Sequence, residues 1–284
     1  MKYTNKLGLP NAIYQAIAND DYDRGESDIT VTQLIQPMQM TKLQMLYKDE
    51  LEEDISDNIY ALMGKSIHYI LEKSETIMPV EKRLYVNING CKVGGQFDRL
   101  ALISNGLLGC KLQDYKIASV WEYIYGLKQE KEDQINCLAY ILKTNGYNII
   151  RSEIVMIFRD WQKSKAKYDP NYPQQQVVII PIILWYNEIQ EKFITDRVKL
   201  FQAEDIPECT EYDRWNPGDK FAVTKQGRKT ALRVLNSRQE AEKWIADNGK
   251  GDNVEVRPGE NRRCESYCNC VTKCQQYAKI KNYE

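Results

Sequence analysis

The chain contains a single histidine, and the residues around it are suited to metal binding. His68 follows Gly64 by four residues, in a stretch whose apolar residues recur every three to four positions. This spacing predicts a helix with both residues on one face. The glycine would permit close approach of another backbone or a ligand, and imidazole is a common metal ligand. A lone histidine is more often structural, so His68 alone does not establish a metal site.

Two carboxylates and a lysine add to this pattern. Asp98 falls in a predicted strand, 91–103, and Asp114 and Lys116 fall in the next predicted strand, 107–116. Carboxylates on adjacent strands can hold Mg²⁺ or Mn²⁺, and the alternation of strand side chains puts Asp114 and Lys116 on one face. A lysine there could orient a water molecule or stabilise phosphate charge. The same spacing also occurs by chance on ordinary exposed strands.

The connection between these strands decides whether Asp98 and Asp114 can share a metal ion. A two-residue turn at Asn105-Gly106 would place residue 98 opposite residue 113, and the two carboxylates would then face opposite sides. A three-residue loop or a bulge would put them on one face. A shared site therefore predicts an odd-length connection.

The surrounding pattern alternates helices and strands, which predicts a mixed α/β (α+β) fold. Asn89-Gly90 is a strong hairpin signal between the first two strands, and Gly94-Gly95 suggests a bulge or a close backbone approach. Ser119 and Glu122 could form a capping box. The predicted helices cover 53–73, with a core-facing apolar stripe, 130–143 and 187–201; the predicted strands cover 83–88, 91–103, 107–116, 154–158 and 177–183.

The composition changes after residue 206, where Pro207, Pro217 and Gly218 interrupt the pattern. We predict an N-terminal helical segment at 1–52, a core at 53–206 and a C-terminal region at 207–284. The last region would contain a small α+β insert at 218–258, in which Ser237 and Glu240 form a capping box for a helix.

The cysteines are concentrated near the C-terminus, at Cys264, Cys268, Cys270 and Cys274. Such crowding is typical of metal ligation rather than of a disulfide framework. A compact insert would bring its two ends together and could add Cys209 to this set. The sulfur ligands could hold an iron–sulfur cluster or zinc, and unligated cysteines on a tail are the simplest alternative.

The helix with G-x-x-x-H, the strand with G-x-x-D and the strand with D-x-K together resemble the PD-(D/E)XK nuclease superfamily. The resemblance is strongest to its RecB-like exonuclease branch, which includes phage exonucleases and CRISPR-associated RecB-like exonucleases. It covers about residues 55–200. It implies a restriction-endonuclease-like core, in which a mixed central sheet is flanked by helices.

The resemblance also implies roles for individual residues. His68, Asp98, Asp114 and the main-chain carbonyl of Tyr115 would bind Mg²⁺ or Mn²⁺, and Lys116 would position the attacking water.

Two further residues match the branch outside that set. Gln134 matches the glutamine on the following helix, and Glu81 matches an acidic position upstream of the first aspartate. The branch often has a tyrosine where this chain has Leu138, and Tyr140 follows two residues later.

Some nucleases of this branch carry an iron–sulfur cluster, with one distant cysteine and three near the C-terminus. The distant cysteine usually precedes the nuclease core, but this chain has no cysteine before Cys91. The preferred ligands for a 4Fe–4S cluster are therefore Cys209, Cys264, Cys268 and Cys274. Cys270 could replace Cys209, and zinc could replace the cluster.

The expected function is DNA exonuclease activity in phage recombination or end processing, with DNA as partner. A single-strand annealing protein is a second partner implied by the resemblance. The net charge of −1 excludes a globally basic nucleic-acid binder, so local groups such as Lys163, Lys165 and Lys167 would contact phosphates. An inactive nuclease-fold interaction module and a zinc-binding structural protein are the alternatives. The longest apolar run is too short for a membrane helix, so we expect a cytoplasmic protein without membrane contact.

Overall fold

A computed structural model of the chain describes residues 1–20, 23–75, 79–103 and 109–283. The chain divides into two compact units, Met1–Ile206 and Pro207–Glu284. The strands of the first unit are β1 (Lys2–Thr4), β2 (Ile29–Thr30), β3 (Glu52–Asp54), β4 (Val80–Ile88), β5 (Cys91–Ile103), β6 (Gly109–Ala118), β7 (Ile149–Phe158) and β8 (Val177–Ile182). Its helices are α1 (Asn11–Ala18), α2 (Val31–Ile35), α3 (Met38–Leu46), α4 (Ile59–Ser74), α5 (Val120–Ile124), α6 (Gln129–Thr144), α7 (Lys163–Tyr168) and α8 (Asn187–Gln202).

The central sheet is mixed, which confirms the predicted α/β class. Its strand order is β2-β5-β6-β7-β8, and β4 pairs with β5 as well. The pairs β2–β5 and β6–β7 are parallel, whereas β4–β5, β5–β6 and β7–β8 are antiparallel. The turn between β4 and β5 has positive φ at both Asn89 (51°) and Gly90 (76°), as the Asn-Gly signal predicts for a type I′ hairpin.

The core of the first unit lies between the sheet and helices α2, α6 and α8. Fully buried side chains from the sheet, such as Phe97, Leu112 and Ile154, meet Ile135 of α6 there, and Ile194 of α8 belongs to the same cluster. Helices α6 and α8 thus cover one face of the mixed sheet. This burial supplies most of the hydrophobic stabilisation of the unit.

Helix α4 differs from its prediction. It begins at Ile59 rather than near residue 53, because 52–54 form β3 and the Asp54 side chain accepts a hydrogen bond from Ser56 N that starts a short 3₁₀ helix, Ile55–Asn58. The predicted core-facing stripe is wrong, since no residue of α4 is buried. Met63 and Ile70 are 40% and 60% exposed.

The Gly94-Gly95 pair marks a close approach, one of the two options that the sequence left open. A Cβ on Gly94 would lie 1.9 Å from Ser27 Oγ, and one on Gly95 would lie 2.7 Å from a methyl carbon of Leu138. These distances are too short for any side chain, so glycine at both positions lets β5 approach its neighbours closely.

The elements of the second unit are β9 (Lys220–Thr224), β10 (Arg233–Leu235), α9 (Arg238–Asn248), β11 (Asn253–Arg257), α10 (Arg262–Ser266), a 3₁₀ helix (Val271–Lys273) and α11 (Gln275–Tyr283). Its three strands form an antiparallel sheet of order β10-β9-β11. Helix α9 is capped by Ser237, whose side chain accepts a hydrogen bond from Glu240 N, and by Gly249 in the left-handed conformation.

No helix within the described ranges combines the length and apolar character needed to cross a bilayer.

Candidate metal centre

Asp98 and Asp114 lie opposite each other on neighbouring strands. The β5–β6 register pairs Arg99 with Gln113, and one step further along places Asp98 opposite Asp114 on one face of the sheet. The predicted turn residues Asn105-Gly106 lie outside the described residues. The register on either side of them nevertheless requires an odd number of connecting residues, which confirms that prediction.

Glu81 extends this row of carboxylates across a third strand. Flanking pairs in the β4–β5 register place Glu81 opposite Asp98, on the side away from Asp114. The predicted strand 83–88 therefore begins too late, because β4 starts at Val80 and contains Glu81. Glu81 has φ of 47°, in the left-handed region that costs free energy for a residue with a side chain. Such conformations persist where surrounding contacts hold them, often at functional sites.

The sheet opens beside Asp98. Strands β2 and β6 pair with the same edge of β5. β2 pairs at Val93–Gly94 and β6 pairs from Arg99 onward, which leaves a gap between β2 and β6 along this edge. Asp98 lies at the gap, and its Oδ2 accepts a hydrogen bond from Tyr115 N at 2.7 Å. The side chain thus continues the link between β5 and β6 where the backbone ladder ends.

His68 reaches this gap from α4. Its Nδ1 lies 3.0 Å from Glu81 Oε1 and 3.6 Å from Asp98 Oδ1, and its Nε2 lies 3.1 Å from the carbonyl oxygen of Tyr115. A carbonyl oxygen only accepts, so a hydrogen bond between Nε2 and the Tyr115 carbonyl is donated by the ring. The ligand atoms of His68, Glu81 and Asp98 lie within 4.8 Å of one another.

Asp114 lies beside this group and not within it. Lys116 Nζ donates to Asp114 Oδ1 at 3.0 Å and lies 2.8 Å from Oδ2. Asp114 is 2% exposed, so the Lys116 ammonium compensates a buried carboxylate.

The electrostatics of the group reflect burial and crowding of like charge. Burial, together with the nearby Asp114 carboxylate, raises the pKa of Asp98 to about 7. The hydrogen bond to Glu81 raises the pKa of His68. Burial disfavours the charged form of Lys116, but the Asp114 and Asp98 carboxylates outweigh it and raise the Lys116 pKa.

A cavity of about 340 Å³ opens next to these groups, and Gln134 is one of the residues that line it. Its lining includes His68, Glu81 and Asp98, together with Gly64 and Leu138.

The packing around Gly64, Leu138 and Tyr140, which the family resemblance singled out, differs from residue to residue. A Cβ on Gly64 would meet no atom within 4 Å, so the missing side chain leaves open space and no close backbone contact. Tyr140 packs against the hydrophobic core, while Leu138 is buried against Gly95.

One polar residue of the site escaped the sequence reasoning. Gln96 Nε2 donates to Glu81 Oε2 at 2.8 Å, and its Oε1 accepts from Arg83 at 2.8 Å. Gln96 therefore fixes one oxygen of the Glu81 carboxylate, while His68 contacts the other. The signal was present, because Gln96 precedes Asp98 by two residues and so shares its face.

The predicted basic residues Lys163, Lys165 and Lys167 lie on α7, a helix that the sequence reasoning missed, and all three are exposed. The residues that line the cavity do not include them. Ser119 also departs from its prediction: its side chain caps Trp121 N, and Glu122 forms an ion pair with Lys131 instead of completing a capping box.

The second unit gathers the predicted cysteine ligands. Burial and Asp213 raise the pKa of Cys209 to about 12, and the thiols of Cys264, Cys274 and Cys268 add to this shift. The four sulfurs therefore share one neighbourhood. The N–H and carbonyl of Cys209 are fixed by the side chain of Gln276, at 2.9 and 2.8 Å, which ties residue 209 to α11. None of the eight cysteines forms a disulfide.

Cys270, the alternative ligand, lies in the same cluster. Its Sγ is 3.4 Å from Cys268 Sγ and fully buried. The hydrogen bond between the two thiols lowers the pKa of Cys268 to about 7 and raises the pKa of Cys270.

No family model matches the chain, and no curated protein matches it. Among solved structures, a chain titled "Crystal structure of SSO0001" is similar, with 16% identity over 71% of this chain and 86% of that chain and a TM-score of 0.46.

Proposed function

We propose that the protein is a divalent-metal-dependent deoxyribonuclease of the PD-(D/E)XK kind. The observation that carries this proposal is the row of Glu81, Asp98 and Asp114 across three strands, faced by the only histidine and accompanied by Lys116. A buried carboxylate row is unfavourable by itself, because like charges raise one another's pKa. A divalent cation would remove that cost.

The residues present fit Mg²⁺ or Mn²⁺. His68 Nε2 and the Tyr115 carbonyl oxygen are 3.1 Å apart, and two adjacent ligands at about 2.1 Å in an octahedral shell are about 3.0 Å apart. Asp114 is a buried carboxylate on the strand next to Asp98. His68, Asp98, Asp114 and the Tyr115 carbonyl would hold the ion, with Glu81 orienting His68. The bound ion supplies Lewis acidity and positive charge toward the phosphodiester.

Lys116 and Gln134 would act on the reacting groups. Hydrolysis adds water across one P–O bond: the water oxygen bonds to phosphorus, its proton is lost, and the sugar oxygen leaves with a proton. The ammonium of Lys116, held by Asp114, can orient the water and stabilise the negative charge that grows on the phosphate. Gln134, in the wall of the cavity, can position the substrate. Cleavage from DNA ends, in phage recombination or end processing, rests on the resemblance alone, as does a single-strand annealing protein as partner.

The deciding experiment incubates linear and circular DNA, single- and double-stranded, with Mg²⁺ or Mn²⁺. Wild type is compared with Asp114→Ala and Lys116→Ala. We expect wild type to degrade linear DNA and both variants to fail. Equal degradation by all three proteins would reject the assigned residues. No degradation by wild type would reject the nuclease and favour an interaction module that retains the fold.

We further propose that Cys209, Cys264, Cys268 and Cys274 bind a 4Fe–4S cluster, with zinc as the alternative. Cysteine thiolates bind both metals, and the thiols of Cys264, Cys274 and Cys268 act electrostatically on Cys209. Lys163, Lys165 and Lys167 remain candidates for phosphate contacts.

A further inference from the structure

An exposed set of aromatic and basic side chains lies on α5 and the elements next to it. We call Trp121, Tyr125, Lys165, Arg159 and Tyr60 the aromatic–basic surface. The rings of Trp121 and Tyr125 stack with centroids 5.8 Å apart and planes at 21°. Lys165 Nζ lies 5.9 Å from the Trp121 ring centroid, and the Arg159 guanidinium lies 4.3 Å from the Tyr60 ring centroid.

Core packing does not account for these rings. Trp121 is 48% exposed, Tyr125 is 82% exposed and Tyr60 is 63% exposed. The buried anchor of α5 is Val120, whose N–H donates to Asp160. The rings of Trp121 and Tyr125 gain little hydrophobic stabilisation, because they are exposed to water on a short helix. Burial in the core therefore does not explain why they stack.

The aromatic–basic surface is close to the proposed metal centre along the chain. Lys116 lies in β6, which ends at Ala118, and α5 begins two residues later. Arg159 N donates to the carbonyl of Ala118 at 3.0 Å, so the Arg159–Tyr60 pair meets the end of the same strand. Tyr60 precedes His68 on α4 by eight residues, about 12 Å along the helix axis. Both groups of side chains therefore connect to the end of β6, the strand that contains Asp114 and Lys116.

The charges of this surface suit an anionic chain with aromatic groups. Lys165 and Arg159 lie over rings, where they remain available to phosphates. The neighbouring acids are occupied: Glu122 pairs with Lys131 at 2.8 Å, and Asp160 accepts from Ser119 and Val120. Exposed rings with interleaved cations are the chemistry that binds unpaired bases and their backbone.

We propose that the aromatic–basic surface binds single-stranded DNA and directs the strand into the metal centre. Bases stack on Trp121 and Tyr125, and Lys165 and Arg159 contact phosphates. Duplex DNA offers only its phosphates to this surface, because its base faces are already stacked inside the helix. The proposal rests on the nuclease function for its substrate, DNA, but concerns binding, so the two can fail separately.

The test measures binding of labelled oligothymidine and of a duplex by fluorescence anisotropy, in an Asp114→Asn background that prevents degradation. The double variant Trp121→Ala/Tyr125→Ala should bind the single strand at least about tenfold more weakly, with a small effect on duplex binding. The matched control is Tyr186→Ala, which removes a 79% exposed tyrosine from another part of the same unit. It should bind like the background protein.

A second readout guards against misfolding of the double variant. The chain has five tryptophans, and stacking of bases on Trp121 should quench part of their emission. Trp121→Phe keeps a ring and should retain binding while losing that quenching. Unchanged quenching in Trp121→Phe, or unchanged single-strand affinity in the folded double variant, would overturn the proposal. Equal losses for single strand and duplex would overturn the single-strand preference.

Cleavage assays with the same variants in the wild-type background separate the two claims. If the double variant loses single-strand binding but wild type cleaves no DNA, the binding surface is supported and the nuclease function is rejected. If wild type cleaves DNA and the double variant cleaves and binds it equally well, the nuclease function is supported and the binding surface is rejected.

Discussion

Asp98 Oδ2 accepts a hydrogen bond from the backbone N–H of Tyr115, with 2.7 Å between the two atoms. The bond fixes one oxygen of Asp98 and leaves Oδ1 facing His68. The carbonyl oxygen of the same residue, which belongs to the next peptide group, lies 3.1 Å from His68 Nε2. Asp98 and His68 therefore both contact the backbone of Tyr115, and these contacts bring three proposed metal ligands together.

Replacing Lys116 by alanine should lower the rate of DNA hydrolysis by about 10²–10³-fold, the usual effect of removing one preorganised electrostatic group. The fold should be retained, since Lys116 is partly exposed. The control is Lys111→Ala on the same strand, whose ammonium pairs with Glu153 on the other face. Initial rates with a labelled linear substrate measure both. Equal losses in the two variants would contradict a specific role for Lys116.

Metal binding and stability should depend on pH in opposite directions. The pKa of Asp98 rises from 3.8 to about 7 on folding, so the metal-free folded state binds more protons than the unfolded state between these values. Metal-free stability should therefore fall as pH increases toward about 7, and Mn²⁺ affinity should increase over the same range because the ion requires the carboxylate.

Thermal unfolding in EDTA and calorimetric titration with Mn²⁺ across this range check both trends. Asp98→Asn cannot titrate at this position and should flatten the stability profile. A profile as steep in Asp98→Asn as in wild type would assign the pH dependence to other groups.

Replacing Cys268 by serine should remove the cysteine-bound metal and destabilise the second unit. Wild-type protein purified without oxygen should contain iron and absorb near 400 nm, and Cys268→Ser should lose both. Cys110→Ser in β6 of the first unit is the matched control and should keep them. Colourless wild-type protein with stoichiometric zinc would replace the iron–sulfur proposal by zinc. Unchanged iron in Cys268→Ser would exclude Cys268 as a ligand.

Two glycines should respond in opposite ways to replacement by alanine. Gly94→Ala would place a Cβ 1.9 Å from Ser27 Oγ, and such overpacking typically costs about 1–3 kcal/mol of unfolding free energy. Gly64→Ala lies in α4 with no atom within 4 Å of its Cβ and should stabilise by about 0.5–1 kcal/mol. Urea unfolding of both variants gives the comparison. A stable Gly94→Ala protein would refute the close approach of β5 to Ser27.

Local signals predicted the local structure well. The Asn89-Gly90 hairpin and the Ser237 cap of α9 each depend on backbone preferences within a few residues. Helix α4 shows the limit of such reasoning. Its apolar periodicity was correct for a helix, but how much of the stripe is buried depends on what packs against it.

The row of carboxylates needed the pairing of distant strands. The spacing of Asp114 and Lys116 follows from strand alternation and was readable in the sequence. The position of Glu81 opposite Asp98 was not, because it depends on a β4–β5 register and on a left-handed residue whose carboxylate contacts Gln96 and His68.

The sequence by itself determined which residue types are available and the fold class that its helix and strand periods require. It also determined that a shared site for Asp98 and Asp114 requires an odd-length connection. Only the tertiary structure decided that Glu81 joins His68 and Asp98 while Asp114 pairs with Lys116, and that Cys209 contacts Gln276 of α11. These contacts join residues far apart in the chain, so they follow from packing and register and not from local conformational preference.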